Sequence, residues 1–194
     1  GVDIDHFGVI NLPEYINFLM IGRLLSDKGV REYVEAAKVV KKQFPATVFK
    51  LVGWIDDNPN AITAEELQSW IASGVIKYLG RLDDVRPAIA SSTVFVLPSY
   101  REGTPRTVLE AMAMGRPIIT TDVPGCRETV KNNQNGYLVQ VKSVKKLSLA
   151  MLKFLNNPTL CEVMGKRSRS MVVSKYDVHR VNDDIMREMG LDFR

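Results

Sequence analysis

The chain has 194 residues, 45% of them hydrophobic, which suits one large domain with an ordinary globular core. Two cysteines (Cys126 and Cys161) and two histidines (His6 and His179) set neither a disulfide framework nor a metal-ligand spacing, and fit free thiols in a reducing cytosol; no apolar run approaches the roughly 20 residues of a membrane span. The formal net charge of +4 suits an anionic ligand or surface, but no recognised nucleic-acid motif accompanies it.

The first residues show no clear helix pattern, and Pro13 breaks the chain before a strand expected over Asn17–Ile21. Gly22-Arg23-Leu24-Leu25-Ser26-Asp27-Lys28-Gly29 follows, in which Ser26 or Asp27 is expected to cap a helix running to about Gln43. Val30, Tyr33, Val34, Ala37 and Val40 form its apolar side. Arg23 and Lys28 leave the carboxyl end of a strand just before a helix start. They read either as a solvated charged loop or as a clamp for a diphosphate. A second strand is expected over Thr47–Val52 and a helix over Thr63–Ala72, opened by a Thr63/Glu66 capping box. A third strand, Val75–Leu79, leads to the turn Gly80-Arg81-Leu82, and Asp83 or Asp84 heads a short helix to about Ala90.

The most telling stretch is Val94 to Thr120. Val94–Leu97 has the length and composition of a buried strand, and a polar loop runs from Pro98 to Gly103. Thr104 reads as an N-cap, Pro105 as the first helical residue, and the helix continues to Met114 before Gly115 and Pro117 stop it. Ile118–Thr120 is the next strand. A strand, loop, helix and strand in this order put the loop and the helix start at the carboxyl end of a parallel sheet, where open α/β folds bind ligands. The helix start offers free N–H groups and a positive dipole end to an anion. Glu110 lies among Val108, Leu109, Ala111 and Met112, and periodicity alone favours a solvated carboxylate on an exposed face.

Beyond it, Thr121-Asp122-Val123-Pro124-Gly125-Cys126-Arg127-Glu128 reads as a ligand-edge loop entering a short helix. Asn135-Gly136 turns into a strand, Tyr137–Val141, and helices follow at about Val144–Leu155, Thr159–Ser174 and Val178–Met189. Lys166, Arg167 and Arg169 read first as a solvated face and only weakly as contacts to anionic lipid. Strands alternating with helices argue an α/β class with a doubly wound parallel sheet, Rossmann-like, and no GxGxxG fingerprint follows the first strand, which counts against a dehydrogenase.

Glu102 and Glu110 have seven residues between them, and AMAMGRPII and TDVPGCRE follow. This pattern resembles the Glu-x7-Glu signature of the retaining glycosyltransferases of family 4, which have the GT-B fold, and covers the second half of such an enzyme. The resemblance implies that residues 1–194 form the nucleotide-sugar (donor) domain. Residues 1–12 would then be the interdomain junction, residues 177–194 a C-terminal helix that returns to the other half, and the N-terminal acceptor domain would be absent from this chain. It implies Arg23 and Lys28, with Thr104, Pro105 and Arg106, on the donor diphosphate. Glu102, Gly103 and Thr104 would meet the donor sugar, with Glu102 the catalytic candidate, and Glu110 the ribose. Arg81 and Leu82 would meet the base, with an ordinary turn in close competition.

The implied reaction moves a sugar from a nucleotide sugar to a hydroxyl with retention, without cofactor or metal. The variant motifs SYREGTPR and DVPGCRE look most like bacterial enzymes that add N-acetylhexosamines to polyprenyl-diphosphate-linked sugars in O-antigen or capsule assembly. UDP-GalNAc is the first expectation for the donor and UDP-GlcNAc the second. The partners implied are a nucleotide sugar and a lipid-linked glycan acceptor. No nucleic acid is expected, and the setting is the cytoplasm with a peripheral membrane contact as a weaker expectation. The enzyme alternatives are a family 4 hexosyl- or mannosyltransferase or a glycogen-synthase-like protein. The alternative of another class is a non-catalytic nucleotide-binding module.

Overall fold

Strands β1 (Asn17–Ile21), β2 (Val48–Val52), β3 (Lys77–Tyr78), β4 (Val94–Leu97), β5 (Ile118–Thr121) and β6 (Gly136–Val139) form one parallel sheet in the order β3-β2-β1-β4-β5-β6. The computed structural model describes residues 1–189. Every residue of β1, β4 and β5 is buried, as expected of central parallel strands covered on both faces. The helices are α1 (Val30–Lys41), α2 (Ala64–Ala72), α3 (Arg86–Ala90), α4 (Arg106–Ala113), α5 (Val144–Asn156), α6 (Thr159–Lys175) and α7 (Val178–Glu188). Two pairs, α1 with α5 and α4 with α6, flank the sheet. The doubly wound Rossmann-like architecture expected from the alternation is the one observed, and residues 190–194 of the expected C-terminal helix lie outside the described residues.

Several local readings need correction. Neither Ser26 nor Asp27 caps α1: Ser26–Lys28 is a 3-10 turn, and α1 starts after Gly29. Gly29 sits at φ 75°, and a Cβ there would lie 2.8 Å from the carbonyl carbon of Pro98. The turn therefore abuts the loop after β4, a contact no local rule contains. Thr104 is not the cap of α4, because Pro105, with ψ 109°, is still extended and takes the N-cap position itself. The third strand shrinks to Lys77–Tyr78, and residues 122–129 form bends and turns rather than a helix. The Thr63/Glu66 capping box forms as read, with both reciprocal bonds present.

Arg169 is not on a solvated face. It donates to the carbonyls of Ile4 (3.1 Å), Phe7 (3.3 Å) and Ala113 (2.8 Å). Arg116, 1% exposed, does the same for Ile10 (2.8 Å), Asn11 (3.4 Å), Ile89 (3.1 Å) and Ala90 (3.1 Å). Burial lowers its pKa to about 10, so it stays charged at neutral pH. These two guanidiniums, with a bridge between Val2 and Asp177, bind the first twelve residues to the sheet-and-helix body. α7 carries no buried residue, and among the described residues no helix is long and apolar enough to cross a membrane.

Arg116→Met would leave four main-chain carbonyls without their donor. It should lower the unfolding free energy by about 2–5 kcal/mol in urea titration; a loss under about 0.5 kcal/mol, the ordinary surface range, would show that water replaces the guanidinium.

Candidate active site

The order β3-β2-β1-β4-β5-β6 reverses direction between β1 and β4, and the loops leaving those two strands diverge at their carboxyl ends. These are the loops carrying Arg23 and Lys28 on one side and Glu102 to Arg106 on the other. Beside them opens a cleft of about 630 Å³, to which Gly22, Arg23, Gly53, Trp54, Leu82, Arg106, Thr107 and Glu110 contribute; His6 and Phe7 of the N-terminal segment close one wall.

Glu110 is 5% exposed, which overturns the solvated-face reading. Residues Val108 to Ala113 of α4 are all buried, so this helix has no wet side there onto which the carboxylate could turn. Its Oε1 accepts from Nε of the exposed Arg106 at 3.0 Å, one helical turn earlier. Burial raises the Glu110 pKa, and the Arg106 charge and hydrogen bond only partly oppose that. The start of α4 has no side-chain cap, which leaves its first-turn N–H groups to an anion.

The second group lies outside the cleft lining. Lys28 Nζ donates to Glu102 Oε1 at 2.7 Å, and Ser99 Oγ donates to the same oxygen at 2.7 Å. Arg23 instead pairs with Asp56 at 3.1 Å, so the two cations expected to act together are each held by a different carboxylate. Of the other expected residues, Leu82 lines the cleft, and Arg81 does not; its guanidinium stands 4.8 Å from the centre of the Trp54 ring. Gly103, Thr104 and Pro105 follow Glu102 at the sheet edge without lining the cleft.

His6, Trp54, Asp84 and Arg86 also line it and were not singled out by sequence. Arg86 grips Asp84 at 2.8 and 2.9 Å and holds its carboxyl at about 2. Trp54 carried a signal, an aromatic directly after Gly53 at the end of β2. Asp3, Asp5 and His179 bring their ligand atoms within 4.8 Å of one another on the exposed surface, and none of the three lines the cleft.

Residues 4–171 match the family described as Glycosyl transferases group 1, and the chain belongs to that family. It is 39% identical over 139 residues to an N,N'-diacetylbacillosaminyl-diphospho-undecaprenol alpha-1,3-N-acetylgalactosaminyltransferase of Campylobacter jejuni, covering 72% of this chain and 35% of that protein. It is 30% identical over 174 residues to a UDP-Gal:alpha-D-GlcNAc-diphosphoundecaprenol alpha-1,3-galactosyltransferase of Escherichia coli, covering 87% and 43%. The chain thus spans less than half the length of these curated relatives. The fold is that of the C-terminal domain of GT-B glycosyltransferases. The C-terminal domain of a group 1 glycosyl transferase from Francisella tularensis superposes with a TM-score of 0.79 at 22% identity, over 92% of this chain and 100% of that one. Anabaena HepE, solved in complex with UDP, superposes with a TM-score of 0.85 at 20% identity, over 98% and 56%.

A carboxyl whose folded pKa is raised favours the fold below its unfolded pKa and costs stability once pH exceeds the folded pKa. Glu110→Gln should therefore raise the melting temperature near neutral pH, and the gain should disappear as pH falls through the ordinary carboxylate range. Thermal scans of both proteins across that range check it; a variant less stable at neutral pH would mean that the Arg106 bond outweighs the burial.

Proposed function

We propose that this chain is the donor-binding domain of a retaining glycosyltransferase. The enzyme would transfer an N-acetylhexosamine, GalNAc first and GlcNAc second, from a UDP-sugar to a polyprenyl-diphosphate-linked sugar in bacterial O-antigen or capsule synthesis. The observation that carries the reading is the juxtaposition at the switch point: an uncapped helix start on α4 with a buried Glu110 one turn inside it, lining a cleft. A helix start suits a diphosphate, and the two oxygens of a carboxylate suit two vicinal ribose hydroxyls. Membership of the family and the named activities of the relatives support the sugar-transfer chemistry and the lipid-linked acceptor.

In this reading the uracil and ribose occupy the cleft, with Leu82, Arg81 and Trp54 near the base and Glu110 on the ribose. The diphosphate rests on the first turn of α4, with Arg23 and Arg106 beside it, and draws Lys28 toward itself. Glu102, released from Lys28, accepts hydroxyls of the sugar together with the main chain of Gly103 and Thr104. The bond from the anomeric carbon to the diphosphate oxygen breaks, the acceptor oxygen bonds to the same face, and the acceptor proton passes to the departing diphosphate. Fixed cations and the helix start meet the growing charge on the leaving group without a metal. The acceptor belongs to an N-terminal domain, with the reaction at the cytoplasmic face of a membrane.

The test is transfer by the full-length protein. Given labelled UDP-GalNAc and a polyprenyl-diphosphate-linked sugar, it should form an α-linked product at the same rate with and without EDTA. Transfer only from UDP-glucose or from GDP-mannose would move the protein to the hexosyl- or mannosyltransferases. Loss of transfer with EDTA would contradict the metal-free mechanism.

A further inference from the structure

We propose that Ser99 is the positioning residue for Glu102, the anchor that keeps its carboxylate in place when the diphosphate draws Lys28 away. The inference rests on the reading that Glu102 meets the donor sugar. Glu102 Oε1 accepts two bonds of equal length, 2.7 Å each, from Lys28 Nζ and from Ser99 Oγ. The two donors differ in what a bound diphosphate does to them. Lys28 carries its charge on a long side chain that an anion attracts; the Ser99 hydroxyl is neutral and keeps its partner. Both bonds end on Oε1, and among the described residues Oε2 accepts none, so one carboxylate oxygen is anchored and the other is left for sugar hydroxyls.

Ser99 is built to be a fixed point. It is 0% exposed, two residues past the end of β4, and its own carbonyl accepts a hydrogen bond from Oγ1 of Thr121, itself 1% exposed. One residue earlier on β5, Thr120 Oγ1 donates to Leu97 O at 2.7 Å. Two buried hydroxyls thus fasten the end of β4 to the end of β5. From the other side, Gly125 at φ 79° brings its backbone so close that a Cβ there would overlap Gly103 O and stand 2.6 Å from Glu102 O. The main chain of Glu102 is held by packing and its side chain by Ser99. The DVPGCRE loop, which lies outside the cleft lining, acquires a role as the backing of the sugar loop.

The experiment measures the affinities of the full-length protein for UDP and UDP-GalNAc by calorimetry, with kcat and KM for transfer. The variants are Ser99→Ala, Glu102→Ala and the double variant. Ser99→Ala should leave UDP affinity within about twofold, weaken UDP-GalNAc about tenfold or more, and lower kcat. In the Glu102→Ala background, removing the serine hydroxyl should cost nothing further in either measure, which a merely structural serine would not obey. If Ser99→Ala does not fold, Thr121→Val tests the same chain of support, since it keeps the Ser99 hydroxyl and frees its carbonyl; a smaller loss confined to UDP-GalNAc is then expected. Equal weakening of UDP and UDP-GalNAc, no weakening, or an additive double variant overturns the positioning role. If Glu102→Ala binds UDP-GalNAc as the parent does, the sugar-binding reading of Glu102 falls, and the positioning role with it. A clear Glu102→Ala loss beside a silent Ser99→Ala overturns the positioning role alone.

Discussion

The constraint on which the site depends is the reversal of winding between β1 and β4. These strands are neighbours and parallel, yet the chain proceeds outward from β1 through β2 to β3 and from β4 through β5 to β6. Their carboxyl-end loops must therefore leave in different directions, and the space between is the one place on this edge where a ligand can reach the backbone of both. The strand order requires this opening. The chemistry of the site is then a matter of which residues the loops after β1, β2, β3 and β4, with the first turns of α4, place around it.

What they place is a set of charges in opposed pairs. Lys28 meets Glu102, Arg23 meets Asp56, Arg106 meets Glu110 and Arg86 meets Asp84. The exposed pairs among these, Arg23 with Asp56 and Arg86 with Asp84, contribute little to stability, and a carboxylate as buried as that of Glu110 is expensive to desolvate. The arrangement makes sense for a ligand that brings both signs of interaction, a polyanion and a set of hydroxyl donors: the anion takes the cations, and the hydroxyls take the carboxylates. Each ligand bond formed replaces a bond already made, so the side chains are ordered beforehand and lose less freedom on binding.

The sequence discloses the parts of this that depend on neighbours in the chain. Asn17–Ile21 and Val94–Leu97 are legible because buried parallel strands are continuous apolar runs, and the Thr63/Glu66 box because both its bonds span three residues. The Glu102 and Glu110 spacing is legible only with the motif around it. The rest was hidden for a common reason. Arg169 reaches Ile4 across 165 positions, Arg116 reaches Ile10 across 106, and Lys28 reaches Glu102 across 74, so each looks locally like a solvated cation. The cap of α4 turned on the ψ of Pro105, and the start of α1 on the approach of Gly29 to Pro98; both are tertiary facts. Glu110 misled because periodicity assumes a helix with one wet side, whereas this stretch of α4 is buried all round.

In the proposed function the start of α4 and Glu110 together read a nucleoside diphosphate. A crystal structure of the chain with UDP tests it most directly. Phosphate oxygens should lie within hydrogen-bond distance of the N–H groups of Arg106 and Thr107, and both ribose hydroxyls on Glu110 in place of its bond to Arg106. UDP held elsewhere, or seated in the cleft with Glu110 still bonded only to Arg106, would contradict it.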